Sequence, residues 1–120
     1  MLGQSSEDYL ECLLQLEEQG KIRCVDVAKM LDVSKPSVNK AMSILKEHGY
    51  ITQEIYGDIH LTPKGREEAN KVFNRHKLIR SFLIDILHVS DTQAEEDACK
   101  FEHVISEETF EKLKTFYYNK

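Results

Sequence analysis

Between Val25 and Gly49 the chain carries its most restrictive pattern, two helical segments separated by only a few residues. Val25-Asp-Val-Ala-Lys-Met-Leu predicts a short helix that buries Val27, Ala28 and Leu31. Asp32-Val33-Ser34 predicts a tight turn, after which Ser34 can cap a second helix with Pro36 in its first turn. Val38, Ala41, Met42 and Leu45 give that second helix one apolar side, and His48-Gly49 ends it. A short helix, a three-residue turn and a longer capped helix together predict a helix-turn-helix. The polar residues Lys35, Ser37, Asn39, Lys40 and Ser43 lie towards the N-terminal half of the second helix, the half that enters a major groove in this motif.

The charge distribution agrees with that placement better than the total does. The 120 residues carry a formal net charge of −5, which does not advertise a nucleic-acid binder. Residues 21–46, however, hold six basic side chains against Asp26 and Asp32, a local balance of +4. Residues 1–20 contain five carboxylates and no base, and residues 77–120 hold nine carboxylates against six bases. One basic segment between acidic ones predicts a DNA-reading element joined to something else.

The period changes after Gly49. Tyr50-Ile-Thr-Gln-Glu-Ile-Tyr and Ile59-His-Leu-Thr predict two short strands around a turn at Gly57-Asp58. Directly behind a helix-turn-helix such a hairpin is a wing, and it can also close the small core through Ile51, Ile55, Ile59 and Leu61. Upstream, a first helix is expected to start near Ser5 or Ser6, either of which can cap it, and to end at Gly20. Tyr9, Leu10, Leu13, Leu14 and Leu16 supply its apolar side, and Cys12 reads as a small core residue. Downstream, Thr62 caps and Pro63 begins a long helix whose apolar set runs to about Leu87. Ser90-Asp91-Thr92 and Ser106 start two further helices. The expected architecture is mainly α: a winged helix-turn-helix domain over 1–62, then a linker helix and a helical domain over 63–120.

Candidate ligand chemistry is concentrated at Cys99-Lys-Phe-Glu-His103. On a helix Cys99, Glu102 and His103 stand at i, i+3 and i+4, so a thiol, a carboxylate and an imidazole share one stripe. Such a set can form part of a transition-metal site, and the plain alternative is a half-buried amphipathic face with an incidental His. Asp8 and Glu11 share a face of the first helix, where solvated carboxylates are equally ordinary. His76 stands mid-helix between Arg75 and Lys77. Three widely spaced cysteines argue against a disulfide framework and for a reducing cytoplasm. No apolar run is long enough to span a bilayer, and the opening Met-Leu-Gly-Gln-Ser-Ser does not read as a signal peptide.

These residues together resemble the diphtheria-toxin-repressor family of metal-dependent bacterial transcriptional repressors. The resemblance rests on the element order, Glu7-Asp-Tyr-Leu-Glu, Thr62-Pro-Lys-Gly, Arg75-His76 and Cys99-Lys-Phe-Glu-His-Val-Ile-Ser106, and it covers essentially the whole chain. It implies a cytoplasmic homodimer that binds a palindromic operator in double-stranded DNA when loaded with metal and controls metal-homeostasis genes. The short form resembles the manganese-responsive branch. By that resemblance Asp8, Glu11, His76, Glu102 and His103 are metal ligands. Cys99 departs from that branch, which places a carboxylate there, and matches the iron-responsive one. The ancillary site of the iron branch is broken in turn, with Arg80 and Glu95 at two of its ligand positions.

The implied ligand set, Asp8, Glu11, His76, Cys99, Glu102 and His103, therefore favours Mn²⁺ or Fe²⁺, with Cys99 acting through its thiolate or its backbone carbonyl. Base and phosphate contacts are expected from Ser34, Lys35, Pro36, Ser37, Asn39, Lys40 and Lys46, and dimer contacts from Phe101, Val104, Phe110, Leu113 and Phe116. The same apolar residues can alternatively be buried within one chain. A winged-helix regulator answering to a small organic ligand is the competing reading. A small metallohydrolase is disfavoured by the absence of a His-Glu-x-x-His helix, a nucleophile motif or a Gly-rich phosphate loop, so no enzyme activity is expected.

Overall fold

The computed structural model describes residues 3–54 and 58–119. Six helices and one hairpin follow in chain order: α1 (Gln4–Gln19), α2 (Cys24–Leu31), α3 (Lys35–Glu47), β1 (Ile51–Gln53), β2 (Ile59–Leu61), α4 (Pro63–Asp85), α5 (Asp91–Val104) and α6 (Glu107–Tyr118). The chain divides into two compact units, one ending at Lys71 and the other beginning at Val72, so α4 starts in the first and continues into the second. No helix among the described residues is long and apolar enough to cross a membrane.

In the first unit α1 packs on α2 and α3. Leu10, Leu13, Val27, Val38, Leu45 and Ile51 are almost wholly withdrawn from solvent there. Each such aliphatic side chain contributes about 1.5–3 kcal/mol when fully buried. Ala28, Leu31 and Ala41 are covered only in part. The left-handed Asp32 (φ 53°) turns the chain between α2 and α3, and the Ser34 hydroxyl accepts the backbone N–H of Ser37 as the α3 cap. Short helix, turn and capped helix therefore stand as the pattern requires.

At α1 the expected serine cap is absent. Gly3 occupies the N-cap without a side-chain bond, because the helix begins at Gln4 and both Ser5 and Ser6 lie inside its first turn. Gly20 ends it as expected, with φ 133°. The strands are shorter than the apolar run predicts. They pair antiparallel as Ile51 with Leu61, Thr52 with His60 and Gln53 with Ile59, and Ile22 adds a bridge to Ile59. Ile55 and Gly57, assigned to the hairpin core and tip, lie outside the described residues.

Behind the hairpin, Thr62 Oγ1 donates to the Gly49 carbonyl at 2.7 Å and accepts the Gly65 N–H at 3.0 Å. That double bond pins the start of α4 against the end of α3. Gly65 itself lies so near Tyr50 that a Cβ placed there would sit 1.9 Å from the Tyr50 carbonyl oxygen, which only glycine avoids.

The second unit is built on α4, α5 and α6. Ile79 and Leu83 of α4 meet Ala94 and Ala98 of α5, with Ile84, Val89, Ile105 and Phe110 packed around them. The two alanines let α5 lie close to α4. Ser90 and Ser106 cap α5 and α6 through the N–H groups of Gln93 and Thr109. α6 contains no fully buried residue, and Phe101, Val104 and Phe116 are 47%, 73% and 57% exposed. Burial within the chain, the alternative reading of these three, does not account for them.

Candidate metal centre

The long apolar periodicity of α4 places His76 on the same buried side as Val72 and Ile79. On α5, Ala94 and Ala98 face α4, and the 3.6-residue repeat carries Glu102 to the same side one turn later. Glu102 is 1% exposed, an unusual position for a carboxylate. Its Oε2 lies 3.3 Å from His76 Nδ1, and its Oε1 lies 3.2 Å from Nε2 of His103, whose side chain is also buried.

Neither contact is aligned as a hydrogen bond, and both Glu102 oxygens are buried without one among the described residues. A buried carboxylate left in this condition costs several kcal/mol unless a cation, an imidazolium or a metal ion, meets it. The donor set of carboxylate and imidazole lone pairs fits a divalent transition metal on that observation.

The other ring nitrogen of His76 has a conventional partner. Nε2 lies 3.0 and 3.1 Å from the two carboxylate oxygens of Glu95, four residues before Cys99 on α5. Arg80, one turn after His76 on α4, brings its Nε within 3.1 Å of Glu95 Oε2. The ligand atoms of His76, Glu95 and Cys99 all lie within 4.8 Å of one another, with the Cys99 side of the group exposed. Glu102 close to Nδ1 raises the His76 pKa, burial opposes this, and Glu95 adds to it, so the imidazolium persists up to about 9.

Arg75 fixes the frame around Glu102. Its Nη1 donates to the Glu102 backbone carbonyl at 3.0 Å, and its Nη2 lies 3.7 Å from Glu107 at the start of α6. The guanidinium also lies 5.4 Å from the centre of the Phe110 ring. It thereby joins the last turn of α5 to the first of α6.

Asp8 and Glu11 lie half-buried on α1 in the first unit. Cys12 on the same helix is a core residue, 2% exposed, with its thiol 3.3 Å from Met30 Sδ. Burial and then the neighbouring Glu11 push that thiol up to about 11, so it stays protonated and inert.

On α3 the residues assigned to DNA, Lys35, Pro36, Ser37, Asn39, Lys40 and Lys46, are all exposed, as is Ser34 at its cap. Ser34 and Ser37 share a hydroxyl hydrogen bond at 2.9 Å, and Lys46 Nζ reaches the Gln53 carbonyl of β1 at 3.4 Å.

Sequence reasoning passed over Glu95, Arg80 and Arg75 as working parts of this cluster. Glu95 and Cys99 stand at i and i+4, as do His76 and Arg80, and that paired spacing was the available signal. The contacts themselves cross between helices, which no local pattern reports.

Two family descriptions divide the chain between them. "Iron dependent repressor, N-terminal DNA binding domain" matches residues 1–59, and "Iron dependent repressor, metal binding and dimerisation domain" matches residues 62–119. An uncharacterised HTH-type transcriptional regulator of Methanocaldococcus jannaschii is 40% identical over 117 residues, covering 96% of this chain and 94% of its own. The transcriptional regulator MntR of Salmonella typhimurium is 36% identical over 111 residues, covering 92% of this chain and 70% of its own. Among solved structures the manganese regulator SloR superposes with a TM-score of 0.81 at 29% identity. That match covers 93% of this chain and 53% of SloR, so the chain spans about half of that protein.

Proposed function

The chain belongs to the iron-dependent repressor family of metal-dependent transcriptional repressors, and on that premise we propose that it binds operator DNA as a homodimer when loaded with Mn²⁺ or Fe²⁺. The observation that carries this reading is the buried Glu102 carboxylate, set between two imidazole rings without an aligned hydrogen bond. It leaves carboxylate and imidazole donors gathered in one buried cluster that a divalent ion can use.

The proposed ligands are Asp8 and Glu11 of α1, His76 of α4, and Cys99, Glu102 and His103 of α5. A divalent ion supplies positive charge and shared ligation to these groups. Carboxylates such as Asp8, Glu11 and Glu102 oppose one another in any arrangement that gathers them, so ligation favours an arrangement that the metal-free chain resists. If that arrangement is also the one that fits DNA, ion and operator assist each other's binding equally, and a coupling of about 1–3 kcal/mol suffices to switch occupancy. Relatives named as manganese and iron regulators support either ion. The carboxylates suit hard, octahedral-preferring ions, and a thiolate at Cys99 would shift preference towards Fe²⁺.

DNA contact is assigned to α3. Ser34, Ser37, Asn39 and Lys40 would reach base edges, with Pro36 in the first turn and Lys35 and Lys46 on phosphates. A symmetric dimer sets two such helices about 34 Å apart, in successive major grooves of a palindromic site. Exposure of Phe101, Val104 and Phe116 on α5 and α6 supports a second copy as their cover.

The direct test of the ligand assignment is calorimetric titration of metal-free protein with Mn²⁺ or, anaerobically, Fe²⁺. Glu102→Ala and His103→Ala are expected to lower affinity at least about tenfold, the size of an effect already seen for outer partners of metal sites. Unchanged affinity in both variants would contradict the assignment.

A further inference from the structure

We propose that Glu95, clamped by Arg80, is a positioning residue that holds the His76 ring so that Nδ1, and not Nε2, faces the metal ion. The inference rests on the reading of His76 as a ligand and deepens it by naming the ligand atom and the group that selects it.

A neutral imidazole offers one N–H and one lone pair, and its surroundings decide which nitrogen keeps the proton. At Nε2 both oxygens of Glu95 stand within 3.1 Å and accept a hydrogen bond. At Nδ1, Glu102 Oε2 stands 3.3 Å away and out of alignment, and that nitrogen forms no hydrogen bond among the described residues. The His76 side chain is 8% exposed, so water competes little for either nitrogen. The proton therefore belongs on Nε2, and the lone pair points to the Glu102 side. Metal-binding imidazoles are commonly held in this way, with the far N–H given to a carboxylate.

Charge makes the same choice. Arg80 places a guanidinium nitrogen 3.1 Å from Glu95 Oε2, on the Nε2 face of the ring. A divalent ion seated on that face would meet this fixed positive charge and compete with it for Glu95. On the Nδ1 face stands a buried carboxylate with no aligned donor. Glu95 is 53% exposed and bound to arginine, which suits a group that orients a ligand better than one that is a ligand.

The test is the long-range ¹H–¹⁵N spectrum of the histidine rings in ¹⁵N-labelled protein loaded with Zn²⁺, with His76 assigned by comparison with His76→Gln. The expected pattern is a metal-bound Nδ1 and a protonated Nε2. Glu95→Ala should lower Zn²⁺ affinity about ten- to a hundredfold, and Glu95→Gln, whose amide oxygen still accepts the N–H, should restore most of it. Because Glu95 is half in solvent, both variants should fold, and circular dichroism checks this. A ring ligated through Nε2 would overturn the inference alone and assign Glu95 and Cys99 to the ion instead. Equal affinity loss in the alanine and glutamine variants would also overturn it. A His76 ring that stays unligated would overturn the ligand reading itself, and the inference with it.

Discussion

At the scale of single residues, the cluster is dominated by one buried carboxylate and one imidazole shared between two acids. The His76 imidazolium persists to about 9, against an ordinary value of 6.5. The folded state therefore binds this proton more tightly than the unfolded chain does. Its contribution to stability is complete below about 6.5 and is lost as pH rises through about 9. If His76 ligates metal as proposed, metal and proton compete for the same ring, and metal uptake in that window releases the proton. Titration calorimetry at pH 7.5 in buffers of different ionisation enthalpy should show His76→Gln releasing about one proton fewer than the parent on binding Zn²⁺. Equal release would show that this ring does not take part.

Glu102 and His103 stood out in sequence through their i+3 and i+4 spacing from Cys99, and His76 only through the family resemblance; the structure brings the three side chains together. Glu95 and Arg80 were visible only as departures from the iron-branch pattern. Their contacts with His76 and with each other depend on the approach of α5 to α4, which Ala94 and Ala98 permit and which no local periodicity encodes.

Among the elements, the helix starts were the most readable features, since a cap is a local interaction between a side chain and the third N–H beyond it. Ser34, Thr62, Ser90 and Ser106 all cap as their positions suggest. α1 broke the rule because a glycine can take the N-cap conformation without a side chain, which moved the helix start ahead of both serines. The hairpin was recognised from its alternation, yet the Ile22 bridge that extends it joins residues 37 positions apart in sequence and left no local trace.

The start of α4 is the element most exposed to a single change. Gly65→Ala forces a Cβ against the Tyr50 carbonyl, and backbone cannot yield as a flexible side chain would. A loss of about 1–3 kcal/mol, the usual cost of overpacking, is expected in urea denaturation. Unaltered stability would mean that this approach is looser than the geometry implies.

Over the whole molecule, the winged helix-turn-helix and the helical part that follows were both readable from pattern, and two family descriptions cover nearly the whole chain. What pattern could not settle was whether the apolar residues of α5 and α6 close on their own chain or on another. Phe101, Val104 and Phe116 remain exposed, and α6 has no fully buried residue to hold it. A second chain is the cover expected of a family whose C-terminal part is described as a dimerisation domain.

Control of DNA binding by a metal ion is tested by fluorescence anisotropy under anaerobic conditions, with a labelled operator duplex and metal-free protein titrated with Mn²⁺, Fe²⁺ or Zn²⁺, repeated for Cys99→Ala. Mn²⁺ or Fe²⁺ is expected to tighten binding about fivefold or more, as a coupling of about 1 kcal/mol or above requires. Activation by Mn²⁺ that survives Cys99→Ala would assign a manganese sensor with a spectator thiol, and Fe²⁺ preference lost in that variant would assign an iron sensor with a thiolate ligand. Operator affinity that no metal changes would mean that metal does not control DNA binding by this chain.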